Sequence, residues 1–308
     1  MRRIVSLLPS ATEIVHALGL GEELVGRSHQ CDFPPEVARL PALTRSKIRI
    51  GGWSAQIHAD VTRILENALG VYEIDRRMLE LLRPTHVITQ VQCDVCAVSL
   101  ADVEEALGFA LRGTSRLIAL RPTDLAGVLA DIRAVGAALE VPASAERCVA
   151  LMEDALERVR SSIARVARRP RVVCLEWLDP LMLAGNWMPE LVRIAGGDEQ
   201  LGRSAVSSSW IGIGEVAAAD PDVIILIPCG FSLERIEREA AVLGRDSNWR
   251  SLRAVRDGAV YAADGNQFFN RPGPRLVDSA VILREILHPA VAPPIHRGRA
   301  WSLVESCM

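Results

Sequence analysis

Apolar runs alternate with helical patterns from the first residues onward. RIVSLLP (3–9), ELVGRS (23–28), THVITQ (85–90) and RLIAL (116–120) are short, rich in Val, Ile and Leu, and bounded by turn residues. Each predicts a strand. SATEIVHALGLG (10–21) has the period of a helix, with Ser10 placed to cap it, Glu13 three residues on, and Gly19 and Gly21 to end it. Residues 54–70, 75–83, 99–108 and 124–139 carry the same helical period. Strands that alternate with helices in this way predict a mostly parallel sheet covered by helices.

Residues 144–169 read as one long helix without Gly or Pro, with arginines gathered at its end as a solvated face. The alternation then restarts. RVVCLEWL (171–178), the apolar end of GEVAAADPDVIILIP (214–228) and AVYAAD (259–264) predict strands. MPELVRIAGG (188–197), with Pro189 in its first turn, and RLVDSAVILREILHP (275–289) predict helices. The fold class expected is α/β, with two Rossmann-like lobes of mostly parallel sheet joined by one long helix. The expected division is a first lobe at 1–143, a bridging helix at 144–169, a second lobe at 170–288 and an irregular tail at 289–308.

Composition narrows the functional classes. Half of the 308 residues are apolar and 24% are charged, as in ordinary globular proteins. No run of 18 apolar residues exists, so no membrane span is expected. A net charge of −3 argues against a nucleic-acid partner. At the N-terminus, the apolar stretch Ile4–Leu8 is too short for a signal peptide and Pro9 interrupts it, which points to a cytoplasmic protein. Seven cysteines, an odd number, do not suggest a disulfide framework.

The segments RIVSLLPSATEIVHALGLGEELVG, LLRPTHVI, MPELVRIAGG and GEVAAADPDVIIL, taken in this order with the long helix between them, resemble the class III substrate-binding proteins of ABC importers. SHQCDFPPEV, QCDVCAVS and GNQFFNRPGPRLVDS are similar to the signal-less cobalamin (vitamin B12)-binding relatives in that group. The resemblance covers roughly residues 2–288. It implies a non-catalytic binder of cobalamin or a related corrinoid or metal chelate, held in a cleft between the lobes. It also implies docking on a permease through one acid per lobe. Glu215 occupies the second-lobe position, whereas Arg77 stands at the first, which argues against docking.

Ligands of open α/β sheets bind beyond the carboxyl ends of the strands. The loops leaving those ends hold Ser10, His29, Gln30, Gln92, Trp177, Phe231, Asn266, Phe269 and Arg271, with Trp187 nearby. Aromatic walls and amide partners would suit a flat ligand edged with amides, and Arg271 an anionic group on it. Cys31, Cys93, Cys96 and Cys229 lie on the same loops. Cys93 and Cys96 have the C-x₂-C spacing of zinc and iron–sulfur sites, with Cys31 as a third ligand and Cys229 or His29 as a fourth. The same thiols also read as pocket lining, as buried small hydrophobes or as a redox pair. His29 reads either as an axial ligand of corrinoid cobalt or as a hydrogen-bonding loop residue. A metal- or iron–sulfur-dependent enzyme built on the same fold, using Cys31, Cys93 and Cys96, is the alternative to a carrier. No Ser/His/Asp array, Walker loop or G-x-G-x-x-G is present, and Glu176 and Asp179, flanking Trp177, read as caps or solvated acids.

Overall fold

The strand Ile4–Ser6 (β1) is buried at all three positions, as expected for a strand covered on both faces. In the computed structural model, which describes residues 2–48, 51–66, 71–91, 100–111, 114–291 and 293–305, the chain divides into two compact units. The first comprises residues 1–52, 56–122 and 126–151; the second comprises 53–55, 123–125 and 152–308.

In the first unit β1 is followed by helix Pro9–Ala17 (α1) and strand Leu24–Arg27 (β2). Strand Thr44–Ser46 (β3), helix Ser54–Glu66 (α2), strand Tyr72–Ile74 (β4) and helix Arg76–Leu82 (α3) come next. Strand His86–Gln90 (β5), helix Leu100–Leu111 (α4), strand Arg116–Leu120 (β6) and helix Leu125–Ala138 (α5) complete the series. A parallel sheet in the order β2-β1-β5-β6 forms the centre. The pair β3-β4 is a separate antiparallel ribbon that the apolar pattern did not foretell. Val5, Leu43, Leu79, Val87 and Val103 pack a core between sheet, ribbon and helices. Ser10 is not the cap of α1. The helix begins one residue earlier, at Pro9, and Leu8 takes the cap position without a side-chain bond. Proline, with its fixed φ and no N–H, is suited to the first helical position.

The long helix runs over Pro142–Ser162 (α6), two residues earlier at its start and seven earlier at its end than the pattern predicts. Its predicted end lies in an arginine run that closes on Pro170, and the residue before a proline is biased away from helical backbone. Arg168 and Arg171 there do not only meet solvent. They pair with Asp222 and Asp220, and Arg253 binds both acids.

The second unit continues with strands Arg171–Leu178 (β7) and Leu181–Leu183 (β8), helix Met188–Ile194 (α7), and strands Asp198–Glu199 (β9) and Ser209–Trp210 (β10). Helix Ile213–Ala219 (α8), strand Val223–Leu226 (β11) and helices Leu233–Leu243 (α9), Ser247–Ser251 (α10) and Arg253–Arg256 (α11) follow. Strand Val260–Ala263 (β12), helix Leu276–Leu287 (α12) and strand Trp301–Leu303 (β13) close the chain. The sheet order is β10-β8-β7-β11-β12-β13, with β9 also on β7. β7, β11 and β12 are parallel, β8 and β13 pair antiparallel with β7 and β12 at the two sides, and β10 pairs antiparallel with β8. The expected irregular tail therefore supplies an edge strand. The reason is Glu285, fully buried on α12. It accepts hydrogen bonds from Trp301 Nε1 at 2.8 Å, His296 Nδ1 at 2.7 Å and His296 N at 3.0 Å. No helix among the described residues is long and apolar enough to cross a membrane.

Candidate functional site

In the first unit the loop that leaves β2 is built on Arg27. Its guanidinium donates to Ser28 O at 2.9 Å and Ala38 O at 3.2 Å, which holds the turn after the strand. His29 follows. Its backbone N–H donates to Thr44 Oγ1 at 3.0 Å, and its Nδ1 lies 2.7 Å from the same oxygen. Thr44 Oγ1 in turn donates to Ser28 Oγ at 3.0 Å. The ring of His29 is tilted against Tyr72, with centroids 5.5 Å apart, and Tyr72 accepts a hydrogen bond from Gln30 Nε2 at 3.1 Å. Burial, with the Arg27 charge beside it, lowers the His29 pKa below the ordinary 6.5, so the imidazole is neutral at pH 7. Its Nε2 is buried without a hydrogen-bond partner.

Ser10 and Cys31 lie inside this unit rather than on its surface. Ser10 is 2% exposed and its hydroxyl has no partner. Cys31 is equally buried, and Thr12 Oγ1 donates to its sulfur at 3.0 Å. Gln90 ends β5 in a buried position. Gln92, Cys93 and Cys96 lie outside the described residues. Among the described residues no three His, Cys, Asp or Glu side chains are grouped as a metal ion would require.

The second unit assembles more of the expected residues. Trp177 sits at the carboxyl end of β7, half-buried, with its ring 5.1 Å from that of Phe231. The Arg235 guanidinium stands over the Phe231 ring, 3.5 Å from its centroid, a cation–π arrangement. Phe231 itself is 2% exposed, so it supports Trp177 and Arg235 more than it offers surface. Cys229, half-buried with a free thiol, donates its backbone N–H to Glu176 O at 3.2 Å.

Trp187 and Phe269, expected to line a ligand pocket, are packed instead. Trp187 is 7% exposed and donates its indole N–H to Phe269 O at 2.9 Å, and Phe269 is wholly buried. Arg271 is 4% exposed and donates to Asn266 Oδ1 at 3.2 Å. The loop is set by Asp264, whose Oδ1 accepts from the N–H groups of Asn266 and Gln267 at 2.9 and 2.7 Å. Gly265 lies where an added Cβ would come within 2.1 Å of Pro228 O. No side chain can be accommodated without moving backbone, so Gly265→Ala is expected to destabilise the unit by about 1–3 kcal/mol. A melting temperature equal to that of the parent chain would refute this.

Glu176 was expected to be a cap or a solvated acid. It is neither. Ser208 Oγ donates to its Oε2 at 2.8 Å, and burial raises its pKa to about 7. Glu199, against Cys174 on β7, is raised to about 7 for the same reason. Ser208 and Arg235 were missed by sequence reasoning. Neither stands at a strand end, and only the fold carries them to the end of β7. On the outer surface, exposed Glu215 accepts from Gly212 N at 2.9 Å and so caps α8, while Arg77 is exposed on α3.

A family profile described as periplasmic binding protein matches residues 101–266, more than half of the chain. The chain belongs to the periplasmic binding protein family. This periplasmic binding protein is 23% identical over 296 residues to an uncharacterised ABC transporter substrate-binding lipoprotein of Bacillus subtilis, covering 94% of this chain and 80% of the relative. It is 22% identical over 290 residues to the vitamin B12-binding protein of Vibrio cholerae, covering 90% and 86%. Its fold is also that of a periplasmic heme-binding protein from Pseudomonas aeruginosa, with a TM-score of 0.71 and 21% identity over 95% of this chain and 94% of that one. These matches correct the expectation of a cytoplasmic protein. A periplasmic family and a lipoprotein relative point to a place outside the cytoplasm.

Proposed function

We propose that this periplasmic binding protein holds cobalamin or a related corrinoid without transforming it. The observation that carries this reading is the match to the Vibrio cholerae vitamin B12-binding protein along 90% of the chain. The chemistry of the second unit supports it. A half-buried tryptophan, backed by Phe231 and flanked by Arg235, offers a flat apolar face beside a cationic group at a strand end. A macrocycle edged with amides is complementary to such a face. The likeness to the Pseudomonas aeruginosa heme-binding protein favours a second ligand of the same shape, haem. The alternative of a metal- or iron–sulfur-dependent enzyme needs Cys93 and Cys96, which lie outside the described residues, and it gains no support from the buried Cys31.

Titration of the chain with aquacobalamin and, separately, with haemin tests the reading through tryptophan fluorescence. Saturable quenching by aquacobalamin is the expected result. Trp177→Ala is expected to weaken binding about tenfold, within the roughly 1–3 kcal/mol of an aromatic anchor. Saturable quenching by haemin alone would replace the corrinoid by haem. No quenching by either would overturn the proposal.

A further inference from the structure

We propose that the amino-terminal end of the second unit's sheet docks on a membrane surface that carries anionic phospholipid headgroups. This surface lies at the opposite end of β7 from Trp177. Residues 158–171 hold six arginines and no acid, in a chain whose net charge is −3. Positive charge is thus gathered at one place against the sign of the whole. The segment leads into the start of β7 at Arg171, and Asp222, just before β11, faces it. It is fixed to the unit. Ile163 is buried, Asp198 donates its N–H to Pro170 O at 2.9 Å, and Arg171 N donates to Asp222 Oδ2 at 2.8 Å.

Two acids set the arginine side chains. Asp222 Oδ1 accepts from Arg168 Nη2 and from Arg253 Nη1, each at 2.8 Å. Asp220 accepts from Arg253 Nε at 2.9 Å and Nη2 at 3.1 Å, and lies 3.5 Å from Arg171 Nη1. Three guanidiniums share two carboxylates, which leaves one positive charge in excess within the cluster. Arg168 and Arg253 also border a cavity of about 340 Å³, whose lining includes Asp222 and Asp257. Asp257 offsets one charge. Arg169 follows Arg168, and Arg256 lies three residues beyond Arg253 on α11. Both are exposed, as is Arg165, and none of the three has an ion pair among the described residues. A single exposed ion pair is worth little in water, so one small anion would be held weakly here. Attraction to a charged bilayer instead adds up over every basic side chain that reaches it. Guanidinium forks also meet two phosphate oxygens at once. A backbone already fixed loses little freedom on docking. These effects favour a plane of phosphates over a single ion.

The test is sedimentation of the full chain with vesicles. Vesicles of phosphatidylglycerol and phosphatidylcholine in equal parts are expected to carry the chain down at low salt and to release it at high salt. Vesicles of phosphatidylcholine alone are expected to leave it in solution. Arg169→Gln combined with Arg256→Gln is expected to weaken binding about thirtyfold, since each basic residue near an anionic bilayer contributes about a factor of five. Arg39→Gln combined with Arg77→Gln removes the same charge from exposed positions of the first unit, and a change below about twofold is expected. Equal losses in the two double variants would overturn the assignment to this surface. Equal binding to both kinds of vesicle, or binding that high salt does not release, would overturn electrostatic docking. No sedimentation with either kind would overturn the proposal. If pyrophosphate then raises the melting temperature of the parent chain but not of the Arg169, Arg256 variant, the surface belongs to a free phosphate instead.

Discussion

Replacing Glu285 with alanine is expected to destabilise the second unit by about 4 kcal/mol. The carboxylate is completely buried on α12 and accepts three hydrogen bonds from the terminal segment, two from His296 and one from Trp301. Hydrogen bonds to a charged group are worth about 1.5–3 kcal/mol each. Removal of one partner also leaves the others unmatched in a dry interior, where the loss reaches roughly 3–5 kcal/mol. Trp301 is 4% exposed, and its indole N–H would have no acceptor left. Glu285→Gln retains an acceptor but meets one donor with its own N–H₂, so a loss of about 1–2 kcal/mol is expected. Urea unfolding reports both, and proteolysis within residues 290–305 reports release of β13. A loss below about 1 kcal/mol for the alanine variant would show that the terminal strand is held by other contacts.

Stability of the second unit is expected to fall as pH rises from 5 to 8, and Glu176→Gln to flatten the fall. Burial raises the Glu176 carboxyl from the ordinary 4.5 to about 7, with Ser208 lowering it only in part. Below pH 4.5 the folded and unfolded chains are both protonated there, and the group contributes no penalty. Between 4.5 and about 7 the unfolded chain ionises while the folded chain keeps its proton, so stability declines. Above about 7 the folded group ionises as well and the loss is complete. At about 1.4 kcal/mol per pH unit the ceiling is about 3 kcal/mol, and the partial exposure of Glu176 reduces it to about 1–3 kcal/mol. Glu199, raised to about 7 by burial, adds a loss of the same sign that Glu176→Gln leaves in place. Denaturant midpoints measured across this range check the claim. A variant whose pH profile coincides with that of the parent chain would overturn it.

The central strands were legible because strands covered on both faces must be apolar throughout. β11, with Val223, Ile224, Ile225 and Leu226, shows this in four consecutive letters, and β7 opens with Val172, Val173, Cys174 and Leu175 buried in a row. The ribbon of β3 and β4 was not legible. Thr44, Arg45 and Ser46 have no apolar pattern, and what makes them a strand is their pairing with Ile74, Glu73 and Tyr72. Neither was β13, whose three residues become a strand because Glu285 anchors Trp301. Trp187 and Phe269 show the same limit on the side of function. Their places near strand ends suggested a ligand wall, but the indole N–H found the Phe269 carbonyl and both rings went into the core.

The sequence by itself determined the α/β class, the order of the central strands and the helices between them, and the likeness to importer binding proteins. These follow from the period of apolar residues and from contiguous segments, and both are local properties of the chain. Tertiary structure alone decided which of the loop residues remain partly open. It buried Ser10, Cys31, Phe231 and Arg271, left Trp177 half-buried, and set Thr44 against the imidazole of His29 from fifteen residues away. Exposure, protonation and the choice of hydrogen-bond partner depend on what the rest of the fold brings within about 3 Å. No window of sequence contains that information.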